Sequence, residues 1–488
     1  MNNTQSPEQI ASRKAAILTG DAARVEAQKK AGKLLARERV EKLLDEGSFV
    51  ELGMLSSRKD KAVGVITGYG TVQDRPVYVF AQDYTVQGGG MGEAQARKIL
   101  RLLDMAEKNG APVVAMLDSA GLFLDEGVAA LNAYSRINAG LAKLSGVCPT
   151  VAMVLGSCIG MNSVTAQMCD VTVMAQSVSV MTAVGPQVAS SALGKEFTAK
   201  TLGGADVMAK QGGCAISAET EDEAIAAVAK LLALLPSCNE EDAPLEEGDD
   251  LNRTLTADGA DLAAFAAELA DNGDVTELYA AYGKAVKTSL IRMGGRTVAL
   301  VAADGKLDAD ALKKTARFVG FADAYQIPVV TLLNSDGVAV PQAEGQAELL
   351  KALAASAAAY AGATTAKLQL VCGNCIGQAY AAFGGFECAD MCWALPGAVI
   401  STVTPEAAAQ LFLRKEILES AKDAEEARAD AAAKYVAEQA DGVVAAAKGM
   451  VDDVIEAAEA RKMMLAAIEM LACKREATPA RKHANLPL

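Results

Sequence analysis

The sequence predicts an α/β protein made of two copies of one scaffold joined by an acidic segment. Short runs of β-branched and aliphatic residues alternate with alanine-rich, helix-compatible stretches, the pattern of sheets covered by helices. A glycine turn, Gly156-Ser157-Cys158-Ile159-Gly160, recurs as Gly373-Asn374-Cys375-Ile376-Gly377. The motifs around it recur in the same order, the mark of an internal duplication. At 488 residues, two domains are expected.

Taken in order, residues 7–44 are charged and helix-compatible, with Leu34, Leu35, Val40, Leu43 and Leu44 forming an apolar stripe that Gly47 ends. Residues 63–66 and 77–81 read as a hairpin turning at Asp74-Arg75-Pro76. Gly88-Gly89-Gly90 precedes an amphipathic helix over about 92–108, with Ile99, Leu102, Leu103 and Ala106 on one side. A strand over 111–117 ends at Asp118-Ser119-Ala120-Gly121. A helical stretch, about 127–143, leads to the next strand and the first glycine turn. Residues 235–251 hold Pro236, Pro244 and Gly248 among closely spaced acids and read as an exposed linker. The plan then repeats: Pro112 and Asp118 are echoed by Pro328 and Asn334, and the distance from there to Cys158 or Cys375 agrees within one residue. The expected division is 1–240, a linker over 241–255, and 256–488. The tail over 405–475 reads as helix, with Val451, Val454, Ile455, Met463, Met464, Leu465, Ile468 and Leu471 as packing positions.

Composition narrows the function. A net charge of −15 argues against nucleic acid or an anionic membrane as partner. The polar N-terminus reads as no signal peptide, and no stretch is apolar for long enough to span a bilayer. Ten cysteines scattered through apolar runs suggest buried thiols in a reducing cytosol. The single histidine, His483, nearly excludes Ser-His-Asp, Cys-His and multi-histidine metal mechanisms within one chain.

Strand-end glycine turns present backbone N–H groups that can hold an oxyanion or phosphate. Each half offers two: Ala120-Gly121 with 156–160, and Gly337 with 373–377. The spacing of Cys372 and Cys375, with Cys388 and Cys392 nearby, admits a zinc reading, but the alanine-rich surroundings favour buried thiols, and no metal is expected. Cys375 lacks a histidine to activate it. Asp118 and Glu126 read equally as acid–base carboxylates or as structural caps. Lys462-Met463 sits in helical surroundings without the methionine of a biotin-attachment site, and no phosphate loop for ATP is present.

Residues 33–49 (KLLARERVEKLLDEGSF), 68–70, Phe80-Ala81-Gln82-Asp83, 88–93, Asp118-Ser119, Leu202-Gly203-Gly204-Ala205-Asp206, 451–455 and the final 481–488 resemble the carboxyltransferase subunits of biotin-dependent acyl-CoA carboxylases and decarboxylases. The resemblance covers nearly the whole chain. It implies two crotonase-like domains, the N-terminal one binding acyl-CoA and the C-terminal one of a second subunit binding biotin, in a homo-oligomer, commonly a hexamer. It implies carboxyl transfer by enolate chemistry, in which N–H groups stabilise two developing oxyanions.

Carried over residue by residue, the thioester donors are the N–H groups of Ala120 and Gly121, and the biotin donors those of Gln378 and Ala379. Acyl-CoA-binding residues are expected at Gly88, Gly89, Gly90, Ser119, Leu122, Phe123 and Gly160, and biotin-binding residues at Gly337, Gly377, Tyr380 and Ala381. Where the family has a glycine pair followed by Ala-Arg-Ile-Gln, this chain has Ala120-Gly121-Leu122-Phe123-Leu124-Asp125, and Gly-Gly-Ala-Tyr becomes Gly377-Gln378-Ala379-Tyr380. Backbone donors survive side-chain changes at negative φ. The expected partners are a biotin carrier protein and either a biotin carboxylase or the membrane subunit of a sodium-pumping decarboxylase. The alternatives are the same transfer run in reverse, as in the α subunit of a methylmalonyl-CoA-type decarboxylase, or a non-catalytic scaffold subunit.

Overall fold

The computed structural model describes residues 6–420 and 423–480. His483 and the motif over 481–488 lie outside the described residues. The chain divides into two compact units, Met1–Asp242 and Ala243–Leu488.

In the first unit a seven-stranded sheet runs in the order Val50–Leu52, Val65–Val72, Arg75–Gln82, Val113–Leu117, Thr150–Val154, Val171–Ala175, Ile216–Ala218. Its first two pairings are antiparallel and the remaining four parallel. The predicted hairpin is present, with its turn at Gln73-Asp74, both at positive φ, which matches the twist of the strands. Arg75 and Pro76 already belong to the strand. The helices Glu93–Asn109 and Val128–Leu144 bury Ile99, Leu102, Leu103 and Ala106, and Tyr134, Ile137 and Leu141 respectively. Such stripes at helical spacing close the core on the sheet.

The second unit repeats this topology. Its sheet runs Val275–Leu278, Val286–Met293, Arg296–Asp304, Val329–Ser335, Lys367–Ile376, Met391–Ala394, Asp453–Val454, again with two antiparallel and then four parallel pairings. A short parallel addition also recurs: Val180–Thr182 beside Ser157–Ile159, and Val399–Ser401 beside 374–376.

Three expectations change. Cys375 and its neighbours extend a strand, and the turn falls one step later, at Gly160 and Gly377, with φ of 66° and 59°. The tail is not continuous helix. Asp453–Val454 closes the sheet edge against Trp393 and Ala394, and Asp452 exchanges bonds with Cys392 at 2.7 Å in each direction. The acidic segment is not a free linker. Leu235 and Leu255 are buried, and two of its acids are paired: Glu246 meets Arg292 at 2.7 Å, and Asp249 meets both Arg253 and the fully buried Arg461. Paired carboxylates pack where a bare charge run would stay in water. Among the described residues no helix is long and apolar enough to cross a membrane.

Candidate active site

Both units build the same cradle at the end of their central strands. In the first, Ala120 N–H donates to the Gly88 carbonyl (2.8 Å), Met91 N–H to Gly121 O (2.9 Å) and Phe123 N–H to Met91 O (2.9 Å). In the second, Asp336 donates to Gly305 (3.1 Å), Leu307 to Gly337 (2.9 Å) and Ala339 to Leu307 (2.8 Å). Ser119 Oγ accepts from Gly121 N–H at 3.0 Å, as Ser335 Oγ does from Gly337 N–H at 3.3 Å. Gly121 and Gly337 sit at φ of 119° and 94°, conformations that favour glycine.

The glycine that opens each repeated motif permits a close approach. A Cβ on Gly156 would overlap the Asp118 carboxylate, and one on Gly373 would overlap the Asn334 amide. Asp118 is fully buried and receives Lys33 Nζ at 2.5 Å and Arg39 Nη1 at 3.1 Å. Arg39 also holds Glu221 at 2.6 Å and donates to Leu155 O at 2.7 Å. The carboxylate is a structural hub, saturated by cations and N–H groups. Glu126 likewise caps: its Oε2 accepts Glu93 N–H at 2.8 Å, and its Oε1 holds Arg58.

The last glycine of each motif starts a helix. Gly160 precedes Met161–Met168, and Gly377 precedes Gln378–Ala382. The first two N–H groups after each glycine, on Met161 and Asn162 and on Gln378 and Ala379, have no hydrogen-bond partner among the described residues. Such orphan donors at a helix start attract negative charge. Gln378 and Ala381 are exposed while Ala379 is buried. Tyr380 packs over Gly385 and accepts Phe386 N–H at 3.1 Å.

Both expected thioester donors have partners within the cradle. The Ala120 N–H is committed to Gly88, because the two strand-end loops zip together there. The Gly121 N–H faces a hydroxyl that can turn away. The free N–H groups of Met161 and Asn162 are not among the expected donors, although the doubled motif marks them as counterparts of Gln378 and Ala379.

A cavity of 640 Å³ lies beside this cradle in the first unit, lined among others by Arg24, Gln28, Lys33, Tyr84, Gly88 and Ser157. Lys33, its Nζ paired with Asp118, also stands 5.0 Å from the Tyr84 ring centroid at the cavity wall. Of the expected acyl-CoA residues only Gly88 lines this cavity. Phe123 instead packs against Gly90 and beneath the Arg58 guanidinium, 3.7 Å from the ring centroid.

Cys158 and Cys375 are both fully buried, and burial pushes the Cys375 thiol up to about 12 and raises Cys158 as well. Neither is a thiolate at neutral pH. Burial also pushes the Cys372 and Cys392 thiols up to about 12. Among the described residues no group of three or more His, Cys, Asp or Glu is gathered to hold a metal ion.

The duplicated α/β fold leaves unpaired N–H groups after each strand-end glycine, donors of the kind that can hold an oxyanion. The sequence matches the carboxyl transferase domain over residues 27–486, and the chain belongs to that family. It is 36% identical to methylmalonyl-CoA decarboxylase subunit alpha of Veillonella parvula over 497 residues, covering 96% of each chain. It is 35% identical to the propionyl-CoA carboxylase beta chain of Roseobacter denitrificans over 510 residues, covering 99% of each. A crystal structure of transcarboxylase 12S, described as a hexamer assembly with methylmalonyl-coenzyme A and methylmalonic acid bound, superposes with a TM-score of 0.93 at 34% identity, covering 100% of both chains. The protein is a biotin-dependent acyl-CoA carboxyltransferase.

Proposed function

We propose that the chain moves a carboxyl group between biotin on a separate carrier protein and a small acyl-CoA of the propionyl/methylmalonyl or acetyl/malonyl class. The observation that carries this reading is the unpaired N–H pair of Gln378 and Ala379 behind Gly377. The pair fits a ureido oxygen: two adjacent donors, a buried alanine behind them, and exposed Gln378 and Ala381 at the entrance. Bound biotin supplies the ureido group that carries the carboxyl and tolerates negative charge on its oxygen.

The chain's own residues do the rest. Gln378 and Ala379 stabilise the ureido oxygen as charge develops there. In the first unit the Gly121 N–H, released when the Ser119 hydroxyl turns, would meet the thioester oxygen as the α-proton passes to the ureido group that has given up its carboxyl. Met161 and Asn162 add donors on the same side of the cradle. Ala120 keeps Gly88 in place, which is a positioning role. The cavity bearing Lys33 and Arg24 takes the acyl-CoA, and Tyr380 and Gly337 shape the biotin side. The N-terminal unit of one copy then works with the C-terminal unit of another, in a cytoplasmic homo-oligomer for which the hexamer is the favoured form. Its partners are a biotin carrier and either a biotin carboxylase or a membrane decarboxylase subunit.

The second reading is the same transfer in reverse, starting from methylmalonyl-CoA. It draws on the similarity to the decarboxylase subunit alpha. Assaying the purified chain with free biotin against malonyl-CoA, methylmalonyl-CoA and glutaconyl-CoA tests the proposal. Decarboxylation of one of the first two supports it; a chain inert toward all three is a scaffold and overturns it.

A further inference from the structure

A second cavity, of 430 Å³, opens on the first unit between the helix Glu93–Asn109 and the edge of the sheet, and shares no lining residue with the acyl-CoA cavity. Arg97, Lys98 and Arg101 line one side; Ser56, Ser57 and Thr67 line the other. Arg97 and Arg101 have no hydrogen-bond or ion-pair partner among the described residues. Lys98 is 9% exposed and donates only to a carbonyl, Val65 O at 2.5 Å. Glu51 is the acid that acts on Lys98, and its charge is already met by Arg37 at 2.9 Å.

The duplication supplies an internal control. The equivalent helix, Ala309–Ala324, carries Lys313, Lys314 and Arg317 at the same three positions. There the protein answers the outer two: Lys313 pairs with Glu348, and Arg317 Nε donates to the Tyr279 hydroxyl at 3.2 Å. Lys314, like Lys98, is buried and tied to carbonyls, with Tyr282 O at 2.6 Å. Of this repeated trio, the second unit gives one outer cation an acid and the other a hydroxyl, whereas the first leaves both outer cations open over a cavity. In a chain of net charge −15, two unpartnered arginines beside a buried lysine around a concave, hydroxyl-lined space suit an anion.

We infer that Arg97, Lys98 and Arg101 form a phosphate-binding site, with the two arginines as hydrogen-bonding forks and the serine hydroxyls completing the shell. The phosphate group belongs either to a free phosphorylated ligand or to the nucleotide end of coenzyme A.

Calorimetric titration of inorganic phosphate into the full chain at fixed ionic strength tests the site without reference to turnover. Saturable binding is expected. The double variant Arg97→Gln/Arg101→Gln, altered only at exposed side chains, weakens it about ten-fold or more, while Lys313→Gln in the second unit leaves it unchanged. A second arm uses 3′,5′-ADP. If it binds more tightly than phosphate, and the double variant raises the KM for acyl-CoA, the site holds the coenzyme; if phosphate binds and the KM is unmoved, the ligand is a free phosphate. No saturable phosphate binding, or binding that survives the double variant, overturns the inference.

Discussion

Asp118 and Asn334 occupy the same place in the two units, each with a side-chain oxygen accepting the N–H just past the repeated glycine, from Ser157 at 3.2 Å and Asn374 at 3.0 Å. The amide is neutral and pairs with Asp304 at 2.9 Å. The carboxylate holds two cations, and through Lys33 and Arg39 it ties the N-terminal segment to the sheet end. One position thus serves turn geometry in both units and a buried ion network in one.

Asp118→Asn keeps the turn contact but strands Lys33 and leaves Arg39 with Glu221 as its one carboxylate. Breaking a buried pair from one side costs about 3–5 kcal/mol, and urea unfolding should show a loss of that order. Asp118 as a mere turn acceptor predicts a loss below about 1 kcal/mol.

Arg461 is fully buried, with Asp271 at 2.5 Å and the Asp250 carbonyl at 2.8 Å. Arg461→Met should therefore detach the helix Ala460–Leu471 from the acidic segment and cost about 3 kcal/mol or more. Limited proteolysis within 243–255 should accelerate in the variant. An unchanged cleavage rate would mean that the segment is held by other contacts.

Burial pushes Lys98 and Lys314 down to about 8 from an ordinary value of 10.5. The folded-state value is the lower one, so between about pH 8 and 10.5 the unfolded chain binds more protons and these lysines make stability rise with pH. Their cost is full below 8 and gone above 10.5. The buried thiols act oppositely, since their folded-state values are raised. The test is consequently a difference: wild type minus Lys98→Met/Lys314→Met, by denaturant unfolding, should become more favourable to wild type across that window. A flat difference contradicts the burial effect.

The duplication was legible because its markers are local: a glycine that cannot carry a Cβ, a glycine at positive φ, and apolar strands between them. The hairpin and the helices Glu93–Asn109 and Val128–Leu144 were legible for the same reason, through turn residues and helical spacing. The Lys33–Asp118–Arg39–Glu221 network was not, because its partners lie far apart in sequence and each reads alone as a surface charge. The strand Asp453–Val454 was hidden by length; two residues carry no alternation, and only Trp393 and Ala394 opposite define it. That the Ala120 N–H is occupied was not legible, because sequence shows which N–H groups exist and only the fold shows that Gly88 accepts this one.

The central claim is that backbone N–H groups at 378 and 379 carry the chemistry on the biotin side. Gln378 is the first residue of its helix, where proline is tolerated and removes only the N–H. The decisive measurement is the rate of biotin-dependent methylmalonyl- or malonyl-CoA decarboxylation by Gln378→Pro beside Gln378→Ala, with circular dichroism confirming that both are folded. The account predicts that alanine retains activity near wild type while proline lowers kcat about 10²-fold or more, the loss of one oxyanion donor. Equal activity in the two variants would contradict it.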